Sequence, residues 1–338
     1  MPQLYESEHG RREETLLLPL GHKLIFAHFE MVPYIAAKDP HLNLNRDRQT
    51  LLGNTDLLMA EYKAILRPLI DHIGVENLAL LRNVEISNEI GSPPDIDIET
   101  ISARPLSKKV SSPWWPRDNS TTIEDFTFVH PEGIFSAATE SDNVIRSYLG
   151  EGGTVLHAGK AVLVVEELWK LRKQDKAFPT LQERGFVVAP LPGVVAEKQV
   201  FPLAHNDGRV SHIDGHATLI TDRQGCLRLL IARSYAYQGG KTLGNIQRAA
   251  DTIGARITIV DDTNLPPLPL NLVQFNDGTI FATKTRDGSL EEALADSVGS
   301  EHVLTTEVPI VVLPKITYGS IRCMTNVVPQ SFLRQLAA

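Results

Sequence analysis

The sequence predicts an α/β protein built from internal repeats, and three observations carry that prediction. A unit of amphipathic helix, turn and short apolar strand recurs along the 338 residues. Further apolar strand candidates lie between these units, so helices alternate with paired strands. No glycine-rich phosphate loop follows a first strand, which argues against a doubly wound nucleotide-binding sheet.

The first unit is "TDLLMAEYKAILRPLIDHIGVENLALL" (55–81). "LQERGFVVAPLP" (181–192), "LGNIQRAADTIGARITIVDD" (243–262) and "SLEEALADSVGSEHVLTTEVPIVVLP" (289–314) read as further copies. Strand candidates between them are "AVLVVEE", "HATLITD" and "LRLLIARS", together with "NLVQFNDGTIFATKT", a hairpin turning on "NDG". Prolines break regular structure in "GSPPDIDIE" (91–99) and "TNLPPLPLN" (263–271). "YAYQGGKT" ends like a phosphate loop but has Tyr235 where the first glycine belongs, so it is set aside.

Composition narrows the function classes. Hydrophobic residues make up 42% and charged residues 22%, as in a soluble globular protein. A net charge of −8 leaves no broad electrostatic footprint for nucleic acid and suits a small cationic partner better than a polyanion. No run of eighteen apolar residues is present, so no membrane span is expected. The charged start "MPQLYESEHGRREE" lacks the apolar stretch of a signal peptide. The 2 cysteines offer neither a disulfide framework nor zinc-ligand spacing, and a reducing cytoplasm is the expected home. Cys226 begins an apolar strand-like run and reads as structural, whereas Cys323, in "GSIRCMTN", follows a Gly-Ser turn beside an arginine. Cys323 is either a buried small hydrophobe or a nucleophile, and a nucleophile needs a base.

Other segments carry polar residues that could supply that chemistry. "SSPWWPRDNSTT" has Trp114, Trp115 and Asp118; "LGEGGTVLHAG" has Glu151 before a Gly-Gly pair; "LPLNLVQFNDG" has Asn271. "SHIDGHATLI" has His212, Asp214 and His216 at alternate positions, which on a strand would share one face. That face could be solvated, could belong to an active site, or could bind zinc or iron. Same-face strand neighbours about 6.5–7 Å apart rarely converge on one ion, which disfavours the metal. If the carboxylates instead meet in one pocket, they need a cation, and guanidinium is the one whose planar donors match carboxylates bidentately.

The order of these residues resembles the guanidine-modifying superfamily, which comprises arginine deiminases, agmatine deiminases, dimethylargininases and amidinotransferases. The resemblance rests on Asp in "WPRDN", Glu in "EGG", His and Asp in "HIDGH", and Cys in "IRCMT", over residues 108 to 330 or so. It implies the pentein fold, a five-bladed pseudosymmetric propeller of ββαβ units. In that frame residues 1–338 form one catalytic domain, with 1–107 holding an N-terminal blade and an unrecognised insertion. It implies Cys323 as nucleophile, His212 as general acid and base, and Glu151 holding His212. Asp118 and Asp214 would grip the guanidinium, and Asn271, Arg322 and Trp115 are placed with the substrate. No metal and no cofactor is implied. The implied activity is deiminase-like hydrolysis of arginine or an arginine derivative through a covalent thiouronium. Transfer of the amidino group to an amine, a non-catalytic binding protein and a His/Asp metalloprotein are the alternatives. The sequence does not specify an oligomeric state.

Overall fold

A computed structural model describes residues 17–27, 55–83, 100–103, 116–131, 140–194, 212–317 and 319–332, with Asp118 described only in its backbone. Strand β1 (His22–Ala27), helix α1 (Thr55–Ile73) and strands β2 (Leu78–Asn83) and β3 (Thr100–Ala103) come first. Helix α2 (Pro116–Asn119) runs into β4 (Ser120–Ile123), β5 (Phe126–Val129) and β6 (Val144–Arg146). The hairpin of β7 (Val155–Ala158) and β8 (Ala161–Val165) is followed by α3 (Glu166–Leu171), α4 (Ala177–Glu183) and β9 (Val187–Leu191). Next come β10 (Ala217–Thr221), β11 (Leu227–Ala232), α5 (Arg233–Ala236), α6 (Thr242–Ile253) and β12 (Arg256–Val260). Then β13 (Val273–Gln274), β14 (Ile280–Ala282), α7 (Ser289–Val298) and β15 (Val303–Thr305) form another set. Helices α8 (Val312–Thr317) and α9 (Ile321–Met324) lead into β16 (Thr325–Pro329).

These strands form five small sheets, β4–β5–β6, β7–β8–β9, β10–β11–β12, β13–β14–β15 and β16–β1–β2–β3. Every sheet opens with an antiparallel pair and adds a parallel third strand. A parallel neighbour needs a crossover, and helices supply it before β2, β9, β12 and β15. The first and last of the described strands pair in one sheet, where Phe26 of β1 faces Thr325 of β16 and His22 faces Pro329.

The local chemistry explains the units. In α6, Ile246, Ala249, Ala250 and Ile253 are buried at helical spacing, and Gly254 at φ 71° ends the helix. Ala255 N then donates to Ala250 O at 2.9 Å, closing the last turn. The "NDG" hairpin turns at Gly278 with φ 87°, and Phe275 N donates to Thr279 O at 2.8 Å across it. Strand β8, "AVLVV", is buried along its whole length, as a central strand with a parallel neighbour should be.

The unit at 289–314 differs in its second half. Its strand is the modest "VLT" of β15, whereas the more apolar "VVLP" begins α8. The carboxylate of buried Glu61, on α1, decides this by accepting N–H bonds from Val311, Val312 and Leu313 at 2.8 Å each. A negative group satisfying the first turn of α8 favours a helix start over a strand.

Candidate active site

The repeat places the polar segments at equivalent positions. Asp118 lies in α2 just before β4, Glu151 precedes β7, Asp214 precedes β10, Asn271 precedes β13, and Cys323 lies in α9 just before β16. Each stands at the leading end of the first strand of a sheet, opposite the end that carries the hairpin turns. Helix α2 packs against α9 and against the Gly152–Thr154 turn, so the Asp118 backbone lies beside the Cys323 segment. Residues scattered along the chain thus meet because each sheet contributes one entry loop.

Asn271 joins three of these segments. It is 2% exposed, and its Oδ1 accepts the backbone N–H of Arg322 at 2.8 Å and of Cys323 at 3.2 Å. With its oxygen committed to two donors, the amide must present Nδ2 on its other side. Nδ2 donates to Cys323 Sγ at 3.3 Å and lies 3.4 Å from the Asp214 carbonyl. An N–H aimed at sulfur favours the thiolate. Cys323 is 2% exposed and belongs to a buried apolar cluster, yet its sulfur also lies 3.9 Å from Asp214 Oδ2. Burial alone would make it a small hydrophobe; an amide and a carboxylate at the sulfur do not fit that role.

Glu151 and His212 form the second half of the site. Glu151 Oε1 lies 3.2 Å from His212 Nε2, with both side chains partly accessible. The Gly-Gly pair after Glu151 forms a tight turn into β7 whose shape depends on having no side chains. A Cβ on Gly153 would stand 2.4 Å from His212 Nδ1, and one on Gly152 would stand 2.4 Å from Arg117 Nε. Gly153 O also accepts Ile213 N at 2.8 Å and Asp214 N at 3.3 Å. The two glycines therefore let one loop clasp both the imidazole and the backbone of Asp214. Thr154, buried, closes the same turn by donating its hydroxyl to Glu151 O at 2.6 Å.

Several expectations change. His212, Asp214 and His216 do not share a strand face, because residues 214–216 form a turn and β10 begins only at Ala217. Ile213 O accepts both His216 N at 2.9 Å and Ala217 N at 2.8 Å, which curls the segment. His216 turns toward Tyr235, 6.4 Å away between ring centroids, and its burial lowers its pKa despite Asp214 and Asp262. Among the described residues no group of three His, Cys, Asp or Glu side chains could hold a metal ion.

Asn271 engages both its amide oxygen and its amide nitrogen with the loop that carries Cys323. Arg322 is also engaged by the fold. Its side chain is buried, and Nη2 donates to Val155 O at 3.0 Å. Burial lowers its pKa, an effect that Asp214 and Cys323 oppose. Trp114 and Trp115 lie outside the described residues, as does the Asp118 side chain.

Sequence reasoning missed His157, on β7. Desolvation, with Arg117 and Arg322 nearby, holds its imidazole well below the ordinary 6.5. An exposed-looking histidine in "TVLHAG" carries no signal of this, because both arginines arrive from distant segments.

No family model matches the chain, and neither does any curated protein. Solved structures do share its fold. A Cys→Ser variant of C. jejuni agmatine deiminase with substrate bound matches at TM-score 0.55 and 12% identity, covering 91% of this chain and 93% of that one. DDAH from Pseudomonas aeruginosa, a Cys→Ser variant complexed with citrulline, matches at TM-score 0.51 and 9% identity, covering 90% and 98%. The N-terminal domain of ArgZ, an arginine dihydrolase from cyanobacteria, matches at TM-score 0.50 and 12% identity, covering 91% and 98%. At such identities the likeness is one of fold alone, an α/β fold shared with members of the superfamily that the order of polar residues resembles.

Proposed function

We propose that this protein is a cysteine-dependent hydrolase of the guanidinium group of arginine or an arginine derivative. One observation carries the proposal: each of five sheets delivers a polar residue from the leading end of its first strand, and Cys323 Sγ lies 3.9 Å from Asp214 there. In this reading the sheets are the blades of a propeller, and the chain serves as a single catalytic unit. The fold neighbours whose names include agmatine deiminase and arginine dihydrolase act on guanidino compounds, which supports the same substrate class.

The chemistry follows from what a guanidinium demands. Its charge is delocalised and it keeps its proton at working pH, so it is a poor electrophile. Asp214, with Asp118 from the α2 side, holds the planar cation through its N–H groups. The Cys323 thiolate attacks the central carbon, forming a C–S bond. The C–N bond to the leaving amine then breaks as His212 donates a proton to that nitrogen, and a thiouronium remains on sulfur. Water attacks the same carbon while His212 takes its proton. The C–S bond breaks, a ureido product leaves, and the thiolate is restored. Glu151 orients His212 and stabilises its protonated form.

The electrostatics make the site conditional. In the empty pocket Asp214 disfavours a negative sulfur, which Asn271 Nδ2 partly offsets. A bound cation reverses the balance, since opposite charges about 4 Å apart are worth about 4 kcal/mol at an effective dielectric near 20. The nucleophile is therefore strongest when substrate is present. The deciding experiment supplies free arginine, agmatine, methylated arginines and an arginine-containing peptide, and measures ureido product from each. Formation from at least one of them, dependent on Cys323, supports the proposal; none from any of them contradicts it. Release of amidino product only when an amine is added would reassign the protein as a transferase.

A further inference from the structure

Arg322 stands immediately before Cys323 and is fixed on several sides. Its backbone N–H donates to Asn271 Oδ1 at 2.8 Å, its carbonyl accepts the Thr325 hydroxyl at 3.2 Å, and Nη2 donates to Val155 O at 3.0 Å. The last bond crosses between loops, because Val155 follows directly on the Gly152–Thr154 turn. That turn starts from Glu151, and its Gly153 carbonyl accepts the N–H groups of Ile213 and Asp214. A planar guanidinium anchored on β7 therefore sets where the cysteine loop stands relative to the Glu151 and Asp214 segments.

The same side chain balances charge. Arg322 is 8% exposed and Asp214 is 1% exposed, and an isolated charge at that depth is costly. Burial works against the charge of the guanidinium, while Asp214 and Cys323 sustain it. The attraction is mutual, so the guanidinium favours the Asp214 carboxylate and a Cys323 thiolate in return. Other groups meet the cysteine loop from the elements packed around it. Asp214 adds a negative charge at 3.9 Å from the sulfur, and Asn271 Nδ2 adds a neutral donor at 3.3 Å. Glu151 and His212 pair with each other at 3.2 Å. Helix α2, packed on α9, brings Arg117, whose Nη1 donates to Asn326 Oδ1 on β16 at 3.5 Å.

We propose that Arg322 is a positioning residue that joins the cysteine loop to the Glu151 loop and supplies the fixed positive charge against which Cys323 becomes a thiolate. The inference rests on the reading of Cys323 as a nucleophile, but it is measured without substrate. Absence of turnover would therefore count against the hydrolase and not against this role. Alkylation by iodoacetamide across pH, followed by mass spectrometry of each cysteine peptide, gives the Cys323 ionisation midpoint with Cys226 as reference. Arg322→Met keeps the bulk and removes the charge. Its Cys323 midpoint should rise by about one unit or more, an alkylation about tenfold slower near neutrality. Arg322→Lys keeps a cation at the same depth and should recover more than half of that shift. A merely structural role would lower the thermal stability of both variants and move neither midpoint. In the parent protein, the Arg322 Nε resonance, assigned by triple-resonance methods, should titrate with the Cys323 midpoint. The proposal is overturned by an unchanged midpoint in folded Arg322→Met, by Arg322→Lys shifted as far as Arg322→Met, or by an Nε resonance that stays fixed as Cys323 ionises. If Arg322→Met does not fold, the resonance decides alone.

Discussion

Cys226 and Cys323 each stand just before a strand, and each has an aspartate nearby. Cys226 sits in the β10–β11 turn, half-buried, with its backbone N–H donated to Asp222 Oδ1 at 2.9 Å. That carboxylate is fully engaged, since it also takes Gln224 N at 2.9 Å and Arg228 Nε at 2.8 Å. Cys323 sits at the opposite end of the sheets, buried, with the side chains of Asp214 and Asn271 at its sulfur. At the turn end a carboxylate secures the backbone; at the leading end a carboxylate faces a thiol. In the proposed chemistry the surrounding charge, and not the residue type, distinguishes Cys323 from Cys226.

The sharpest way to break that contrast is to exchange the cysteines' roles. Cys323→Ala should lower turnover by about a thousandfold or more, the scale of losing a covalent nucleophile, while Cys226→Ala should leave it within about twofold. Steady-state rates of both variants, with circular dichroism to establish folding, check this. Gly153→Ala comes next, because its new Cβ would stand 2.4 Å from His212 Nδ1 and push the imidazole off Glu151. Displacement of a catalytic group by about 1 Å costs on the order of a hundredfold, read in kcat/KM.

Asn271→Asp should have a smaller and more specific effect. The new carboxylate still accepts the two backbone N–H groups, but it loses the donor to sulfur and adds a negative charge. Cys323 should therefore ionise at higher pH, seen as slower alkylation by iodoacetamide near neutrality, with Cys226 unaffected. The mildest effect concerns His157. Its folded pKa lies well below the ordinary 6.5, so below that pH the unfolded chain binds a proton that the folded protein refuses. Stability should fall as pH drops from 6.5 toward the folded value, and His157→Gln should flatten that part of the denaturation-midpoint profile.

Much of this was legible in the sequence, for reasons that are local. The helix–strand unit 243–262 and the "NDG" hairpin follow from spacing and from glycine's left-handed conformations, which need no distant partner. The order of Asp118, Glu151, His212, Asp214 and Cys323 was readable as well, through its resemblance to the guanidine-modifying superfamily. What stayed hidden depends on contacts across the fold. Alternation in "HIDGH" looked like a strand, but Ile213 O captures two N–H groups and makes a turn. The need for Gly152 and Gly153 lies in Arg117 and His212, which come from other segments. "VVLP" reads as strand until Glu61, on α1, caps it as a helix. Asn271 and Arg322 were recognisable as polar residues near the site, but only the hydrogen-bond partners show which way each side chain turns.

The most direct measurement compares alkylation rates of the two cysteines across pH, with and without a saturating unreactive guanidinium compound, by mass spectrometry of each peptide. If Asp214 holds a flat cation beside Cys323 as proposed, the ionisation midpoint of Cys323 should fall when the cation binds, while Cys226 stays where it was. A Cys323 midpoint that does not move, or one that moves together with that of Cys226, would contradict the account.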